Sequence, residues 1–212
     1  MAKLEIIGAA QSNYVWTCRI ACAEKGVAHE LIVARPHTPD VDAIHPMGRI
    51  PVMRHGDVSL FESKAICTYI DRAFSGPGLI PASAAGAAEC EQWISFINTS
   101  LDPVCVRQYL LGYFFPGTPD GSPDRARIDA ALPGVEKHLA ILDKAVAATG
   151  HLAGTGFTLA EAFLLPIAHY LKNAPESARM IGGLPGLSAW CERHMARPCF
   201  VSTMPPAPPP TR

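Results

Sequence analysis

The spacing of apolar positions changes partway along this chain of 212 residues. In the first third, short apolar runs fit strands and helices by turns. Leu4–Ile7 reads as a short strand, and a loop of small residues over 8–11 leads to Ser12 and Asn13. Both side chains can cap the orphan N–H groups at the start of a helix. Val15, Cys18 and Cys22 share one face of a helix predicted over 14–25, which Gly26 stops. A strand is predicted over 27–33, followed by a polar, proline-bearing loop over 35–46 with at most a short helix. Val52–His55 and Val58–Phe61 read as the arms of a hairpin turning at Gly56-Asp57. Ala65, Ile66, Tyr69 and Ile70 place a helix over 64–74. The opening strand, helix and strand form a βαβ unit, for which parallel pairing and a right-handed crossover are expected.

Ser75-Gly76-Pro77-Gly78 is a breaker cluster, and beyond it strand patterns vanish. Trp93, Phe96, Ile97, Leu101 and Val104 recur at helical spacing over 84–112, with Pro103 expected to bend or break the run. A Gly- and Pro-rich loop over 114–122 precedes a second long helix over 125–149. There, Pro133-Gly134 predicts a kink or a late helix start. Thr158 and Glu161 form a capping box that opens an apolar, hence buried, helix to Tyr170. A last helix is predicted over 187–196. The reading gives an α/β domain over 1–77, an all-helical domain over 84–203 and a disordered proline-rich tail over 204–212.

Composition narrows the function classes. Charged residues make up 17% of the chain and apolar ones 49%, which suits a folded protein. A net charge of −1 gives no electrostatic case for nucleic acid or an anionic membrane. Glu5 interrupts the apolar run at the N-terminus, against a signal peptide, and no uncharged apolar run reaches the ~20 residues of a membrane span. The seven cysteines are scattered and odd in number, so they read as reduced thiols in a cytoplasmic setting. Cys18 and Cys22 lack a second pair at zinc spacing, and no metal site is expected.

Candidate chemistry gathers around Gly48-Arg49-Ile50-Pro51-Val52 and Phe61-Glu62-Ser63. Were Ile50–Pro51 cis, the N–H and C=O of Ile50 could turn out to pair with an extended peptide ligand. Ser63 opens a helix, and helix N-termini with a hydroxyl suit carboxylates. The alternative is a plain hairpin with a structural proline.

In combination, four stretches resemble the cytosolic glutathione transferases. They are Ser12 with Tyr14-Val15-Trp16-Thr17-Cys18-Arg19, Pro46 to Val52, Glu62-Ser63-Lys64-Ala65-Ile66, and Phe157 to Ala162 with Pro166. The serine-type, bacterial-like members are most similar, with some likeness to the zeta class around Trp16 and Arg19. The resemblance covers about residues 3–200 and implies a thioredoxin-like domain followed by an all-helical one. It also implies glutathione as co-substrate, a small apolar electrophile as acceptor, and a homodimer. Carried over by position, Ser12 supports the glutathione sulfur and is the catalytic residue, with Asn13 an auxiliary donor. Ile50 and Pro51 hold the cysteinyl part, and Glu62 and Ser63 take the γ-glutamyl end. Many relatives have a basic residue at the position of Gly48; Arg49 or His37 stands in here. Tyr14, Tyr109, Tyr113 and Phe114 are candidates for the acceptor pocket, or for core. Asp102 is a candidate for the γ-glutamyl ammonium, and Arg19 for a structural ion pair.

The implied activity is conjugation of glutathione to small apolar electrophiles, a detoxification chemistry. Alternatives are a glutathione-dependent isomerase of the maleylacetoacetate type and a non-catalytic protein binding glutathione or hydrophobic ligands. Thiol-transferase work is disfavoured, because those relatives carry cysteine where this chain has Ser12.

Overall fold

The computed structural model describes residues 2–206. The chain forms two compact units, residues 1–80 with 196 onward, and residues 81–195.

The first unit is built on a four-stranded sheet in the order β2-β1-β3-β4. Strands β1 (Leu4–Ile7) and β2 (His29–Ile32) run parallel, as a βαβ unit requires, with α1 (Asn13–Glu24) between them. Strands β3 (Val52–His55) and β4 (Val58–Phe61) are the hairpin, and β3 pairs antiparallel with β1. A four-residue helix, α2 (Pro39–Asp42), interrupts the polar loop, and α3 (Ser63–Ala73) follows β4 directly. This is the thioredoxin-like arrangement. Helix α1 forms where Ser12 enters with extended backbone, and it ends at Gly26, whose φ of +70° turns the chain away. Val15, Trp16, Cys18, Ile20, Ala21 and Cys22 are fully buried. At the end of α1, the buried Lys25 reaches Asp71 of α3 (Nζ–Oδ1 3.3 Å) and the carbonyl of Pro77 (3.0 Å). Asp71 also accepts the N–H of Leu79 at 2.7 Å, so one ion pair fastens α1, α3 and the segment that leaves them.

One element lies elsewhere than the sequence reading put it. Residues 196–203, assigned there to the helical domain, form α10 (Pro198–Thr203) and pack on α1. Trp16 donates its indole N–H to Thr203 Oγ1 at 3.0 Å and stacks on Phe200 at 4.9 Å, and Arg197 pairs with Glu24. The apolar face of α1 was legible; that part of it serves a distant helix was not. Of the tail expected as disordered, residues 204–206 are described, with Gln11 donating to the carbonyl of Pro206 at 3.4 Å. The remainder lies outside the described residues.

The second unit is helical: α4 (Ala84–Phe96), a wide π-type stretch Ile97–Leu110, α5 (Leu111–Phe114), α6 (Arg125–Val146), α7 (Leu159–Lys172), α8 (Pro175–Gly182) and α9 (Pro185–Met195). Pro103 neither ends the run nor leaves it α-helical. It sits inside the π-type stretch, where the N–H of Leu111 reaches back five residues to Val106. Helix α6 continues through Pro133 without the late start considered from sequence, and α8 lacks a sequence-stretch long enough to have been read. The capping box of α7 is present. Glu161, with no exposed surface, accepts the backbone N–H of Leu152 (2.5 Å) and of Thr158 (2.9 Å) and the Thr158 hydroxyl (2.7 Å).

Candidate functional site

Sheet register assembles the site. Ile7, the last residue of β1, pairs with Val52, the first of β3, and Val52 pairs with Phe61, the last of β4. The loop after β1, the segment before β3 and the residues after β4 therefore leave the same end of the sheet. Those three segments carry Ser12, Ile50-Pro51 and Glu62-Ser63. A small core of Ile7, Val41 and Val52, flanked by Ile44 and Ile50, holds that end together. Gly8 lies beneath it, and a Cβ there would meet Val15 at 2.6 Å and Ile50 at 3.1 Å, so only glycine lets the two segments approach.

Three of these residues carry polar atoms without a hydrogen bond among the described residues. Ser12 precedes α1, and its hydroxyl makes no capping hydrogen bond. Ile50–Pro51 is cis. The backbone N–H and C=O of Ile50 make no hydrogen bond among the described residues. Ser63 is the first residue of the eleven-residue α3, and its side chain is buried with no hydrogen bond to its hydroxyl among the described residues. Its carbonyl faces the thiol of Cys18 at 3.9 Å, which ties α3 to α1. Glu62 sits at φ +66°, a left-handed conformation unusual for a non-glycine residue and a mark of functional loops.

His45 is a member of this cluster that sequence reasoning missed. It is buried against Phe61, ring centroids 4.9 Å apart, and Nε2 lies 3.8 Å from Glu62 Oε1. Its Nδ1 accepts the backbone N–H of Met47 at 3.0 Å, so the proton of the neutral ring belongs on Nε2, facing Glu62. Nothing in the local sequence singles it out, because the loop over 35–46 carries no periodicity.

Gly48 explains its own identity. Its φ is +60°, and a Cβ there would lie 2.2 Å from His37 Nδ1 and 2.6 Å from Asp42 Oδ1. The space a longer side chain would need is taken by His37, which also donates its backbone N–H to the carbonyl of Gly48 at 2.9 Å. Arg49 is exposed and has no partner among the described residues.

The remaining candidates fall elsewhere. Asn13 and Tyr14 lie in the first turn of α1; Asn13 is buried, and its carbonyl accepts the hydroxyl of Thr17 at 2.9 Å. In the second unit, of the two readings left open for Tyr109, pocket wall or core, its burial favours core. It has no exposed surface, its hydroxyl donates to Glu176 Oε2 at 2.9 Å, and it accepts the N–H of Ser177 at 3.1 Å. Tyr113 donates to the same carboxylate oxygen at 2.5 Å, and Arg125 reaches Oε1 at 2.9 Å. Burial alone would raise the Glu176 carboxyl; donors from Tyr113, its own backbone, Arg125 and Tyr109 outweigh it and hold the group at about 2. The same burial, with the Glu176 charge, pushes Tyr113 up to about 12, so its phenol stays protonated. Phe114 is about half exposed. Asp102 is no free acid: it is buried and takes a forked pair from Arg107, at 2.8 and 3.3 Å.

Comparison with known proteins identifies the family and the fold. Residues 6–78 match the glutathione S-transferase N-terminal domain, and residues 125–193 match the C-terminal domain. Glutathione S-transferase 3 of Zea mays is 32% identical over 99% of this chain and 98% of its own. Glutathione S-transferase F10 of Arabidopsis thaliana is 29% identical over 84% of this chain and 86% of its own. The solved structure of glutathione S-transferase III in apo form superposes with a TM-score of 0.86 at 32% identity, covering 99% of this chain and all (100%) of its own. A theta-class enzyme from Xanthomonas axonopodis pv. citri, solved with glutathione bound, gives 0.82 at 28% identity over 98% of this chain and 99% of its own. The narrower resemblance, to serine-type, bacterial-like and zeta-class enzymes, gains no support from these likenesses. With both domain models matched in order and full-length similarity to the maize enzyme, the chain belongs to the glutathione S-transferase family.

Proposed function

We propose that this protein is a glutathione transferase whose thiol-activating group is Ser12. The observation that carries the reading is the meeting, at one end of one sheet, of the Ser12 hydroxyl, the open backbone of Ile50 and the Ser63 hydroxyl at the start of α3. A tripeptide with a thiol in its middle and carboxylates at both ends fits such a set. Ile50 pairs with the cysteinyl backbone as one rung of a ladder. Ser63 and the N–H groups at the start of α3 take the γ-glutamyl carboxylate. Glu62 takes the ammonium beside it. Arg49 and His37 face the glycine carboxylate, in place of a side chain at position 48.

The chemistry follows from thiol acidity. A free thiol has a pKa near ~8.5 and is mostly protonated at neutral pH. The thiolate is the nucleophile. A hydroxyl donating from the N-terminal end of α1 stabilises the sulfur anion by hydrogen bond and dipole. Lowering the pKa by roughly two units corresponds to about 2.7 kcal/mol of differential stabilisation. The thiol proton leaves to solvent, and the sulfur attacks the electrophilic carbon. The C–S bond forms as the bond to the leaving group breaks, and the leaving group departs with the electron pair. Ser12 is a donor throughout and forms no covalent bond. Tyr14, in the first turn of α1, is the first unit's candidate for contact with the acceptor.

Homodimerisation and a cytoplasmic setting belong to this proposal. Among the described residues, no helix is long and apolar enough to cross a membrane.

Steady-state conjugation of 1-chloro-2,4-dinitrobenzene and of a panel of epoxides and halides tests the reading. Wild type should turn over at least one of them, and Ser12→Ala should lose roughly tenfold to a hundredfold in kcat/KM, the scale of about 1.4–2.7 kcal/mol. Glutathione binding with no turnover of any acceptor would point to a binding protein instead.

A further inference from the structure

A second cleft opens in the first unit, towards the other end of α1 from Ser12. Its volume is ≈ 570 Å³, and Arg19, Ala23, Val27, His29, Leu31 and Ser202 are among its lining residues. The ion pair expected for Arg19 from sequence is absent: its guanidinium has no hydrogen bond or ion pair among the described residues. Nε and Nη1 are buried, which leaves Nη2 as the accessible nitrogen. Among the described residues, no acid lines the cleft. A half-desolvated guanidinium without a counter-charge is costly in a folded protein and attracts anions more strongly than a solvated one. The surroundings select among anions. His29 Nδ1 lies 3.3 Å from the carbonyl of Val27, which can only accept, so the ring proton sits there. Burial, and the Arg19 charge after it, keep the ring below its ordinary value of 6.5, hence neutral near pH 7. The cleft then presents one fixed positive charge beside an apolar wall of Ala23, Val27 and Leu31 and the hydroxyl of Ser202.

We propose that this cleft is a binding site for a small organic carboxylate with an apolar body. The carboxylate meets the Arg19 guanidinium, and the body covers the wall of Ala23, Val27 and Leu31. A monoanion matches the single charge, and a carboxylate oxygen can accept the N–H groups of the one accessible nitrogen, Nη2. Arg19 and Ala23 stand one helical turn apart on α1, so the chain can supply its own competitor: Ala23→Glu places an acid at i+4 to Arg19.

Isothermal titration calorimetry on the full chain tests this with 4-phenylbutyrate, its neutral analogue 4-phenylbutyramide, and inorganic phosphate. Wild type should bind 4-phenylbutyrate at least tenfold more tightly than either of the others. Arg19→Gln and Ala23→Glu should each weaken 4-phenylbutyrate at least tenfold, and Arg19→Lys by less. Ala23→Glu should melt no lower than wild type, which separates loss of the site from loss of the fold should Arg19→Gln prove unstable. Equal affinity for acid and amide overturns the proposal. So does phosphate binding as tightly as 4-phenylbutyrate, or affinity unchanged in Ala23→Glu.

Discussion

The imidazole of His45 and the carboxylate of Glu62 face each other at 3.8 Å, between the loop before β3 and the first turn of α3. Because Met47 N–H occupies Nδ1, the ring can address Glu62 only through Nε2. Glu62 holds a left-handed backbone, so its side chain needs orienting from outside its own helix. On the proposed reading, in which Glu62 takes the γ-glutamyl ammonium, His45 is a positioning residue for that end. His45→Ala should raise the glutathione Kd about twofold to fivefold, the scale of about 0.5–1 kcal/mol for a contact longer than a hydrogen bond, while kcat at saturating glutathione changes little. A fall in kcat with unchanged affinity would place His45 in a different role.

Ser63 should act on binding more than on turnover. Ser63 is a buried residue whose hydroxyl makes no hydrogen bond within the described residues, and on the proposed reading a carboxylate supplies one. Ser63→Ala should weaken glutathione roughly tenfold, as expected for a hydrogen bond to a charged group of about 1.5 kcal/mol. Calorimetry that returns the wild-type dissociation constant removes Ser63 from the site.

The Lys25–Asp71 pair makes a stability prediction. Its side chains are only 2% and 7% exposed, and Asp71 also holds the N–H of Leu79. Removing one partner strands a buried charge, so Lys25→Met should cost about 3 kcal/mol or more. Chemical denaturation would measure it, and a cost below about 1 kcal/mol would mean the pair behaves as a surface one.

Glu176 predicts an acid dependence. Its carboxyl sits at about 2, against an ordinary 4.5, so the folded state binds this proton less tightly than the unfolded chain. Its contribution is complete above pH 4.5 and is lost as pH falls through the window towards 2. Glu176→Gln should lower the Tm at neutral pH and lessen the further loss on acidification. Parallel Tm-against-pH curves for wild type and variant would contradict this.

The sequence made one half of this molecule more legible than the other. Short strands, glycine stops and Pro51 mark the first unit because each is a local signal, and the strand bounds at β1, β3 and β4 coincide with the expected ones. The site residues Ser12, Ile50 and Ser63 were found as motifs, whereas their convergence depends on Ile7–Val52–Phe61 register, which no local pattern encodes. His45 and the free guanidinium of Arg19 escaped because a partner's identity, or its absence, is a tertiary property. Tyr109 shows the same limit in reverse. An aromatic at helical spacing reads alike as pocket wall or core, and only its bonds to Glu176 and Ser177 decide for core. Pro103 is expected to bend or break the run because proline interrupts an α-helical ladder; the wider π-type ladder around it is an accommodation that spacing does not announce.

The central claim is that the Ser12 hydroxyl holds the glutathione sulfur as a thiolate. Ultraviolet difference titration of the thiolate in the binary complex tests it directly, for wild type and Ser12→Ala at saturating glutathione. The account predicts a wild-type midpoint about two pH units below that of free glutathione, and a Ser12→Ala midpoint close to the free value. Equal midpoints in the two proteins would contradict it.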